Sequence, residues 1–378
     1  MAVMTGLSGN EMYCLHLKGF EPGDLVIGNS VYSLGFIGSL GAGFQTIAGG
    51  EVEQVTKLIH DGREQALKRM VHEAEKHNAA GLTGVSSELV NQGGTIEFLS
   101  IGSTIHHEGA SSEKLNFSTS ADGQELYCQL DCGFMPLKFA FGNVAYSIGV
   151  GGGFMGALRS LGRGEVTEYS DVFNETRHRA LRRITEEAVH AGANAVLGIQ
   201  TSILPFGGMQ EMVMIGTASR HAALPPEKSQ HPITSDLTNE EMWNIIHMGY
   251  VPVQLVLGVS VYSLGLVGSV TAGFKQFVRG EIEEMTTLLY EARDNAIRRI
   301  RADAELCGAD DVVGIKTYVY NLGSGIIEFM AIGTAVKKMP GFKTLTDNLP
   351  PQAVIKDKDT YFNTAERGLG TNLNEAKR

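Results

Sequence analysis

The feature that most constrains the fold of this chain is a phrase that occurs three times. It reads GNSVYSLG at residues 28–35, GNVAYSIG at 142–149 and GVSVYSLG at 258–265. Successive copies are separated by 114 and then 116 residues, whereas solenoid repeats recur every 20 to 50 residues or so. Each copy therefore belongs to a domain of its own, and a chain of 378 residues has room for three of them.

Aligning the copies predicts domains at residues 8–107, 122–221 and 238–337. Each opens with the spacing of a capping box, in which a first side chain and a Glu three residues later satisfy the free amides at a helix start. The three pairs are Ser8 with Glu11, Asp122 with Glu125, and Thr238 with Glu241. A short helix is expected to follow each pair and to end at Gly19, Gly133 or Gly249.

The rest of each domain is predicted to contain a strand, a long helix and a hairpin. An apolar, β-branched run such as 25–27 indicates a strand, and a glycine-rich connector follows it. A helix of about 28 residues is expected to begin at Glu51, Glu165 or Glu281, because apolar residues in the third copy then recur at i, i+3, i+4 and i+7. Each domain is thus an α+β unit of order α-β-α-β-β, with one long helix laid across a sheet.

The segments outside the domains are polar. Residues 108–121 and 222–237 are rich in Ser, Pro and charge, and we interpret them as linkers. The C-terminal tail, 338–378, has no hydrophobic period and is expected to be disordered by itself. Packing along a neighbouring subunit is one way in which it could become ordered.

Several motifs recur with the repeat. The glycine-rich connectors end in Gly-Gly-Glu or Arg-Gly-Glu, the long helices contain an internal Arg, and Gly-Ala-(Asn/Asp)-x-Val-(Val/Leu)-Gly-Ile stands at 192–199 and 308–315. The closing strands at 215–218 and 332–336 share Ile-Gly-Thr-Ala. As a set, these motifs resemble the YbjQ-like family, which is often labelled "putative heavy-metal-binding domain". The first copy departs from the pattern at 80–84 and 101–104.

The resemblance covers all three units and implies a dodecin-like, two-layer unit that assembles into a ring, commonly a pentamer of single domains. It implies no activity, since the family has none agreed. The extra helix at the start of each unit and the covalent triplication depart from short family members, which puts the pentameric stoichiometry in question.

The composition argues against several partners. The formal net charge is −11, whereas binding nucleic acid needs a clustered positive surface. No stretch approaches the roughly 18 to 20 apolar residues of a membrane-spanning helix, and the first residues lack the basic start of a signal peptide. Four cysteines without a paired framework fit a reducing compartment, so we expect a cytoplasmic protein.

Metal binding is an alternative that the family label raises. Cys128 and Cys132, with Asp131 beside them, are the candidate soft ligands. They do not recur in all three copies, and neither do the histidines, so the sequence favours no metal and no cofactor. A dinucleotide-like fingerprint at 151–156 occurs in the second copy alone and lacks the acidic partner of a βαβ site.

Small residues four apart do recur in the glycine-rich connectors. They are Gly35, Ser39 and Gly43, then Gly149, Gly153 and Ala157, then Gly265, Ser269 and Gly273. Such spacing lets backbones approach closely, so we predict that these segments pack between repeats or subunits. A short helix that touches or enters a membrane is the alternative, which the net negative charge disfavours.

Three charged positions recur in every unit. They are Glu51, Glu165 and Glu281; Arg63, Arg177 and Arg293; and Glu97, Glu211 and Glu328. The first set fits the N-terminal end of a helix dipole. The Arg on the long helix and the Glu on the last strand are predicted to form a bridge between layers or subunits. No Ser/His/Asp or Cys/His arrangement recurs, so a nucleophilic enzyme is not indicated.

The sequence therefore predicts a non-enzymatic protein that assembles with itself into a closed ring or cage, as a scaffold or compartment. Two alternatives remain open at this point. One is a small-ligand or heavy-metal-binding module, and the other is a membrane-associated oligomer that uses its glycine-rich segments.

Overall fold

The computed structural model describes residues 2–33, 50–92, 94–107, 115–147, 164–206, 209–263, 283–323 and 326–350. They form a mixed α+β structure of three sheet-plus-helix units in tandem. Each unit has a short helix, a long strand, a long helix and a two-stranded hairpin, which confirms the order that the sequence predicts.

The elements repeat from unit to unit with nearly equal lengths. The first unit contains α1 (Gly9–His16), β1 (Phe20–Ser33), β2 (Gly50–Glu51), α2 (Glu53–Lys76), β3 (Gly81–Gln92) and β4 (Thr95–His107). The second contains β5 (Phe117–Ser118), α3 (Gly123–Asp131), β6 (Met135–Ser147), β7 (Gly164–Glu165), α4 (Thr167–His190), β8 (Ala195–Phe206) and β9 (Met209–Arg220). A 3-10 turn (Pro226–Ser229) leads to the third, with β10 (Ile233–Thr234), α5 (Asn239–His247), β11 (Tyr250–Ser263), α6 (Glu283–Leu306), β12 (Asp311–Gly323) and β13 (Ile326–Lys338).

All three predicted capping boxes form. The N-cap side chain accepts a hydrogen bond from the backbone of the Glu three residues on, and that Glu accepts one from the cap's own N–H. Each short helix is followed by Gly19, Gly133 or Gly249 at φ of +77°, +82° and +85°, a left-handed conformation that glycine adopts without strain. The short helices pack in sequence, α1 on α3 and α3 on α5.

The first two long helices begin two residues after the predicted start. Glu51 and Glu165, expected as helix N-terminal acids, lie instead in the two-residue strands β2 and β7. The reason is a pairing across units. Glu51 is opposite Tyr146 in β6 and Glu165 is opposite Tyr262 in β11, so the chain stays extended until it has passed the neighbouring strand.

The linkers also contribute short strands, which the sequence did not predict. β5 pairs in parallel with β3, and β10 pairs in parallel with β8. The sheet orders are β1-β4-β3-β5, β10-β8-β9-β6-β2 and β12-β13-β11-β7. Each linker is thereby fixed to the sheet of the unit before it, while β2 and β7 are fixed to the unit after them.

The apolar core runs continuously from one unit to the next. α2 packs on β1 and β4 of its own sheet and on β6 of the second unit, and α4 likewise packs on β6 and on β11. One buried cluster joins Met70, Leu82 and Val85 of the first unit to Phe139 and Phe141 of the second. A larger cluster joins the second unit to the third. Each of these two long helices therefore lies between two sheets, its own and the next.

The start of the tail packs against its own chain. Phe342 is buried and its ring stacks on His221 with centroids 4.6 Å apart. Thr346 donates to the carboxylate of Asp131 at 2.8 Å. Residues 339–350 thus pack against their own chain. They do so through an aromatic contact and hydrogen bonds, neither of which produces a hydrophobic period in the sequence. Residues 351–378 lie outside the described part.

Candidate functional site

A buried arginine on the first long helix reaches the last strand of the second unit. Arg63 lies on α2 and Glu211 on β9, and neither side chain has exposed surface. Nε of Arg63 is 3.1 Å from Oε1 of Glu211, and Nη2 is 2.8 Å from Oε2. Nη1 donates to the backbone oxygen of Ser87 at 2.8 Å. The pair is thus bidentate, which is the strongest arrangement of a guanidinium and a carboxylate.

The same contact recurs one unit later. Arg177 on α4 donates to Glu328 on β13 through Nε at 3.1 Å and through Nη2 at 2.8 and 2.9 Å. Both side chains are again fully buried. Tyr146 adds a second layer, because its hydroxyl accepts from Nη2 at 2.5 Å and its ring centre lies 4.2 Å from the guanidinium carbon.

Burial by itself lowers the pKa of Arg177, but the Glu328 carboxylate and Tyr146 outweigh burial and raise it. The group therefore stays charged inside the protein. Losing one member of a buried pair costs about 3 to 5 kcal/mol, whereas an apolar pair of similar volume is often as stable. A buried ion pair is therefore weak evidence of added net stability.

The recurrent acids before the long helices form a second bridge between units. Glu51 is almost fully buried and pairs with Arg179 at 3.1 Å and with Arg183 at 2.6 Å, both on the second long helix. Glu165 accepts from Asn295 of the third unit at 2.7 Å. One partner changes between the repeats, from Arg179 to Asn295, whereas the other recurs, because Arg299 is equivalent to Arg183 and lies 3.8 Å from Glu165. Sequence reasoning missed both partners. The recurrence of the acid was the available signal.

Hydroxyl groups on the long helices complete the contact. The backbone N–H of Ala145 in β6 donates to Thr56 Oγ1 at 2.9 Å, and that of Val261 in β11 donates to Ser170 Oγ at 2.8 Å. Thr56 and Ser170 occupy equivalent positions in their repeats. Each interface between units therefore combines an ion pair, a helix hydroxyl, a short strand and an apolar cluster.

The third set of recurrent charged residues is placed differently. Arg293 on α6 is exposed, and its guanidinium carbon lies 5.5 Å from the ring centre of Phe329 in its own unit. Glu97 on β4 is half-buried and accepts from Asn29 at 3.0 Å. Glu281 lies outside the described residues. The described structure thus contains two of these Arg–Glu pairs, Arg63 with Glu211 and Arg177 with Glu328, and each pair joins consecutive units.

One buried carboxylate joins parts of all three units. Asp131, at the end of α3, contacts Lys18 Nζ at 2.7 Å, Trp243 Nε1 at 2.8 Å, and the amide and hydroxyl of Thr346 at 3.1 and 2.8 Å. Burial opposes ionisation of Asp131, but these hydrogen bonds outweigh it and lower its pKa. The residue is not repeated at matched positions, so no recurrence pointed to this role.

The cysteine candidates lie in an apolar environment. Cys128 and Cys132 belong to a buried cluster that also contains Cys14, Phe134 and Trp243. Burial raises the pKa of both thiols, and it raises the pKa of Cys14 to about 11. Packing in this apolar cluster accounts for the burial of these thiols. Within the described ranges, no three His, Cys, Asp or Glu side chains are grouped as metal ligands.

The glycine-rich segments cannot be placed. The nine small residues predicted to mediate assembly, and the fingerprint at 151–156, lie outside the described residues. Among the helices that are described, none has the length and apolar character needed to cross a membrane.

Comparison with known proteins gives a family match in every unit. A family model described as "Putative heavy-metal-binding" (YbjQ) matches residues 20–106, 135–222 and 248–339. A Mycobacterium tuberculosis (H37Rv) protein named "Encapsulin nanocompartment protein Rv1762c" is 34% identical over 228 residues, covering 57% of this chain and 85% of that protein.

Single-unit relatives match as well. A UPF0145 protein of Pseudothermotoga lettingae is 46% identical over 83 residues, which covers 22% of this chain and 78% of the relative. A UPF0145 protein of Psychromonas ingrahamii is 45% identical over 85 residues, covering 22% and 81%. These proteins match about one repeat, whereas the mycobacterial protein matches about two.

Proposed function

The chain belongs to the YbjQ-like family, and from that premise we propose that it is a non-enzymatic protein whose function is self-assembly. Copies of the chain associate into a closed homo-oligomeric ring or cage that serves as a scaffold or compartment. The chain itself is the partner in this proposal, and no nucleic acid or cofactor takes part.

The observation that carries the proposal is the interface between units, which the chain builds twice with the same parts. Arg63 with Glu211, and Arg177 with Glu328, are fully buried pairs that join separate repeats. A surface that is made twice from equivalent residues is suited to further copies of itself. Head-to-tail repetition closes into a ring when the rotation per unit allows it.

The named relative points in the same direction. The mycobacterial protein is called an encapsulin nanocompartment protein and covers two repeat lengths of this chain. A compartment is built by self-association of many subunits, so a shared arrangement of repeats supports assembly here too. The family description, heavy-metal binding, argues neither for assembly nor against it.

A native mass spectrum of the gently purified protein tests the proposal. We expect one defined oligomer, of the same mass across about a hundredfold range of concentration, because a closed assembly has no free ends to grow from. Masses that increase with concentration would indicate an open filament. A monomer at all concentrations would refute self-assembly.

Ligand binding is the second candidate, and one feature favours it. A cleft of about 610 Å³ between α2 and α4 is lined by polar and charged side chains that include His60, Lys138 and Glu187. A bound small molecule or metal would appear in the same spectrum as a stoichiometric excess mass, one or three per chain. Removal by a chelator or by dialysis would then identify its class.

We also propose a reducing, cytoplasmic location. The four cysteines form no disulfide with one another, and three of them are buried in the core, as expected of a protein kept reduced. Membrane association through the glycine-rich segments remains the third alternative, and liposome co-sedimentation tests it.

A further inference from the structure

Each interface between units has two different sides. The helix side consists of a long helix and the outer hairpin strand of one unit, such as α2 with β3. The strand side consists of the long first strand and the last strand of the next unit, such as β6 with β9. Three units in a row use two helix sides and two strand sides. The contacts among these three units therefore leave two sides unused, the strand side of the first unit and the helix side of the third.

The strand side of the first unit is apolar, and two of its described residues are exposed. Ile27 and Val31 of β1 are 48% and 58% exposed. The equivalent residues of the second and third units are all 0–1% exposed, namely Phe141 and Ala145, then Leu257 and Val261. These two positions are thus exposed in the first unit and buried in the second and third units, each of which follows another unit in the chain.

The helix side of the third unit is likewise exposed at described positions that are buried in the other two units. Ile315 of β12 is 44% exposed, whereas its equivalents Val85 and Ile199 are 2% exposed. Arg293 is exposed on α6, whereas Arg63 and Arg177 have no exposed surface. An arginine that is buried in two interfaces is therefore presented at the surface at the end of the chain.

The N-terminal residues match the linker strands. Val3 and Met4 stand at the positions that Phe117 and Ser118 occupy one repeat later, and both are exposed, Met4 by 73%. Residue 4 already lies beside the first strand, because the N–H of Leu25 donates to its carbonyl at 2.7 Å. The linker strand β5 pairs with β3 of the unit before it. In the third unit, the strand that corresponds to β3 is β12, and no linker strand pairs with it in the described structure. Residues 3 and 4 of another copy of the chain correspond to the linker strand that is missing there.

From these two exposed sides we infer a third copy of the repeat interface, formed between chains. The helix side of the third unit in one chain binds the strand side of the first unit in the next, with Arg293 paired to Glu97. This inference rests on the proposed self-assembly and names its contact. The partner is a second copy of the chain, bound head to tail. Continuity with two interfaces of the same construction and the complementary charges of Arg293 and Glu97 support that choice.

The side chains around Glu97 fit a change of partners on binding. Glu97 accepts from Asn29 in the isolated chain. The equivalent residue in the second unit, Asn143, donates instead to the carbonyl of Thr56 across the interface, at 3.1 Å. Docking of a second chain offers Asn29 the corresponding helix carbonyl and offers the Glu97 carboxylate the guanidinium of Arg293.

Charge reversal tests the contact. In native mass spectrometry of the full chain, we expect Arg293→Glu and Glu97→Arg each to weaken association by about a hundredfold or more, as expected for a disrupted buried pair. The double variant should assemble again, because the reversed charges attract one another. An equimolar mixture of the two single variants should also assemble. At one contact the two introduced side chains then meet with opposite charges, and at the next contact the native Arg293 meets the native Glu97.

The matched control is Arg182→Glu. Arg182 lies on a long helix, its side chain is 56% exposed, and its position is exposed in the first two units, so its reversal should leave the mass unchanged. Circular dichroism melts check that each single variant is folded, as expected for residues at the surface of the isolated chain.

The outcomes separate the two proposals. A wild-type protein that is monomeric overturns self-assembly and this contact together. A wild-type oligomer that persists in Arg293→Glu overturns the contact and leaves self-assembly standing. Single variants that dissociate and form no complex with each other when mixed, not even a heterodimer, overturn the head-to-tail pairing.

Discussion

At the scale of single residues, the interfaces between units depend on charges that are buried in pairs. Arg177 and Glu328 are fully buried, 151 positions apart, and each compensates the other. We predict that Arg177→Met or Glu328→Leu alone lowers the free energy of unfolding by about 3 to 5 kcal/mol, because the remaining charge stays in the core without its partner. The double variant should recover most of the loss, since it places two apolar side chains of similar volume there.

Urea unfolding followed by far-ultraviolet circular dichroism measures this cycle, with Arg182→Met as a control for losing an exposed arginine. A strong positive coupling between the two substitutions is expected. Simple additivity of the two single losses would contradict the pairing.

His178 gives the second interface a pH dependence. Its Nε2 is 3.0 Å from Asp303 on the third long helix, and its Nδ1 is 2.8 Å from the carbonyl of Asn174. Burial lowers the pKa of His178, but the Asp303 bond, with help from Asn174 and Glu175, outweighs burial and raises it above the ordinary 6.5. The stabilisation is therefore complete below about pH 6.5 and is lost as the pH rises through the raised pKa of the folded state.

We expect the urea midpoint to fall as the pH is raised above 6.5. The loss should correspond to about 1 kcal/mol in the free energy of unfolding, because the His178–Asp303 pair is partly exposed. His178→Gln should remove this pH dependence. The first interface supplies an internal comparison, because Glu64 occupies the equivalent position there. A stability that rises with pH over the same range would refute the assignment.

Recurrence in the sequence identified the Arg and Glu positions but not their partners. Arg63 and Glu211 are 148 residues apart, and nothing local indicates whether a bridge joins layers, units or chains. Asp131 and His178 were missed in these roles, because each occurs once and acquires its role only from the residues that surround it.

At the scale of elements, each long helix touches its own sheet at a glycine. A Cβ added to Gly142 would lie 2.3 Å from the carbonyl oxygen of Ala180 in α4, and the same contact occurs at Gly28 and Gly258. This close approach accounts for the glycine that opens all three copies of the repeated phrase. Gly142→Ala should therefore lower stability by about 1 to 3 kcal/mol or more, since the clash is with backbone and no rotamer relieves it.

Thermal melting of Gly142→Ala against Gly9→Ala measures this effect. Gly9 begins α1 and has no atom within 4 Å of an added Cβ, so alanine there should be neutral or slightly stabilising. Equal melting temperatures for the two variants would show that the sheet and helix can separate at no cost.

The elements that local chemistry determines were predictable. The capping boxes at Ser8, Asp122 and Thr238 and the left-handed glycines after the short helices are signals within a few residues of the feature they produce. The two-residue strands β2, β5, β7 and β10 have no such signal, because each exists only by pairing with a neighbouring strand. The same pairing displaced the predicted start of the long helices.

At the scale of the whole molecule, triplication predicted three units but not their order in space. The structure adds that each of the first two long helices lies between its own sheet and the next, so that the first and third units present different sides. Pairing of two helix sides would bring together two surfaces that each carry Arg293, whereas head-to-tail pairing matches Arg293 with Glu97. A covalent series of three also holds neighbouring units at high effective concentration. In the proposed assembly the contact between chains lacks this advantage, so we expect it to be the weakest of the set.

The glycine-rich segments belong to that scale as well. They lie outside the described residues, but two of them end at β2 and β7, which pair with the following unit. We predict that replacing Gly43, Gly153 and Gly273 together by Leu abolishes the oligomer, because their small-residue spacing permits a close approach of backbones that a large side chain prevents.

Native mass spectrometry and liposome co-sedimentation, run together, measure the result, with Gly9→Leu as the control. An oligomer of unchanged mass that has lost binding to anionic liposomes would instead place these segments at a membrane surface. Loss of the oligomer in a chain that never bound liposomes would support a role of these segments in contacts between protein surfaces.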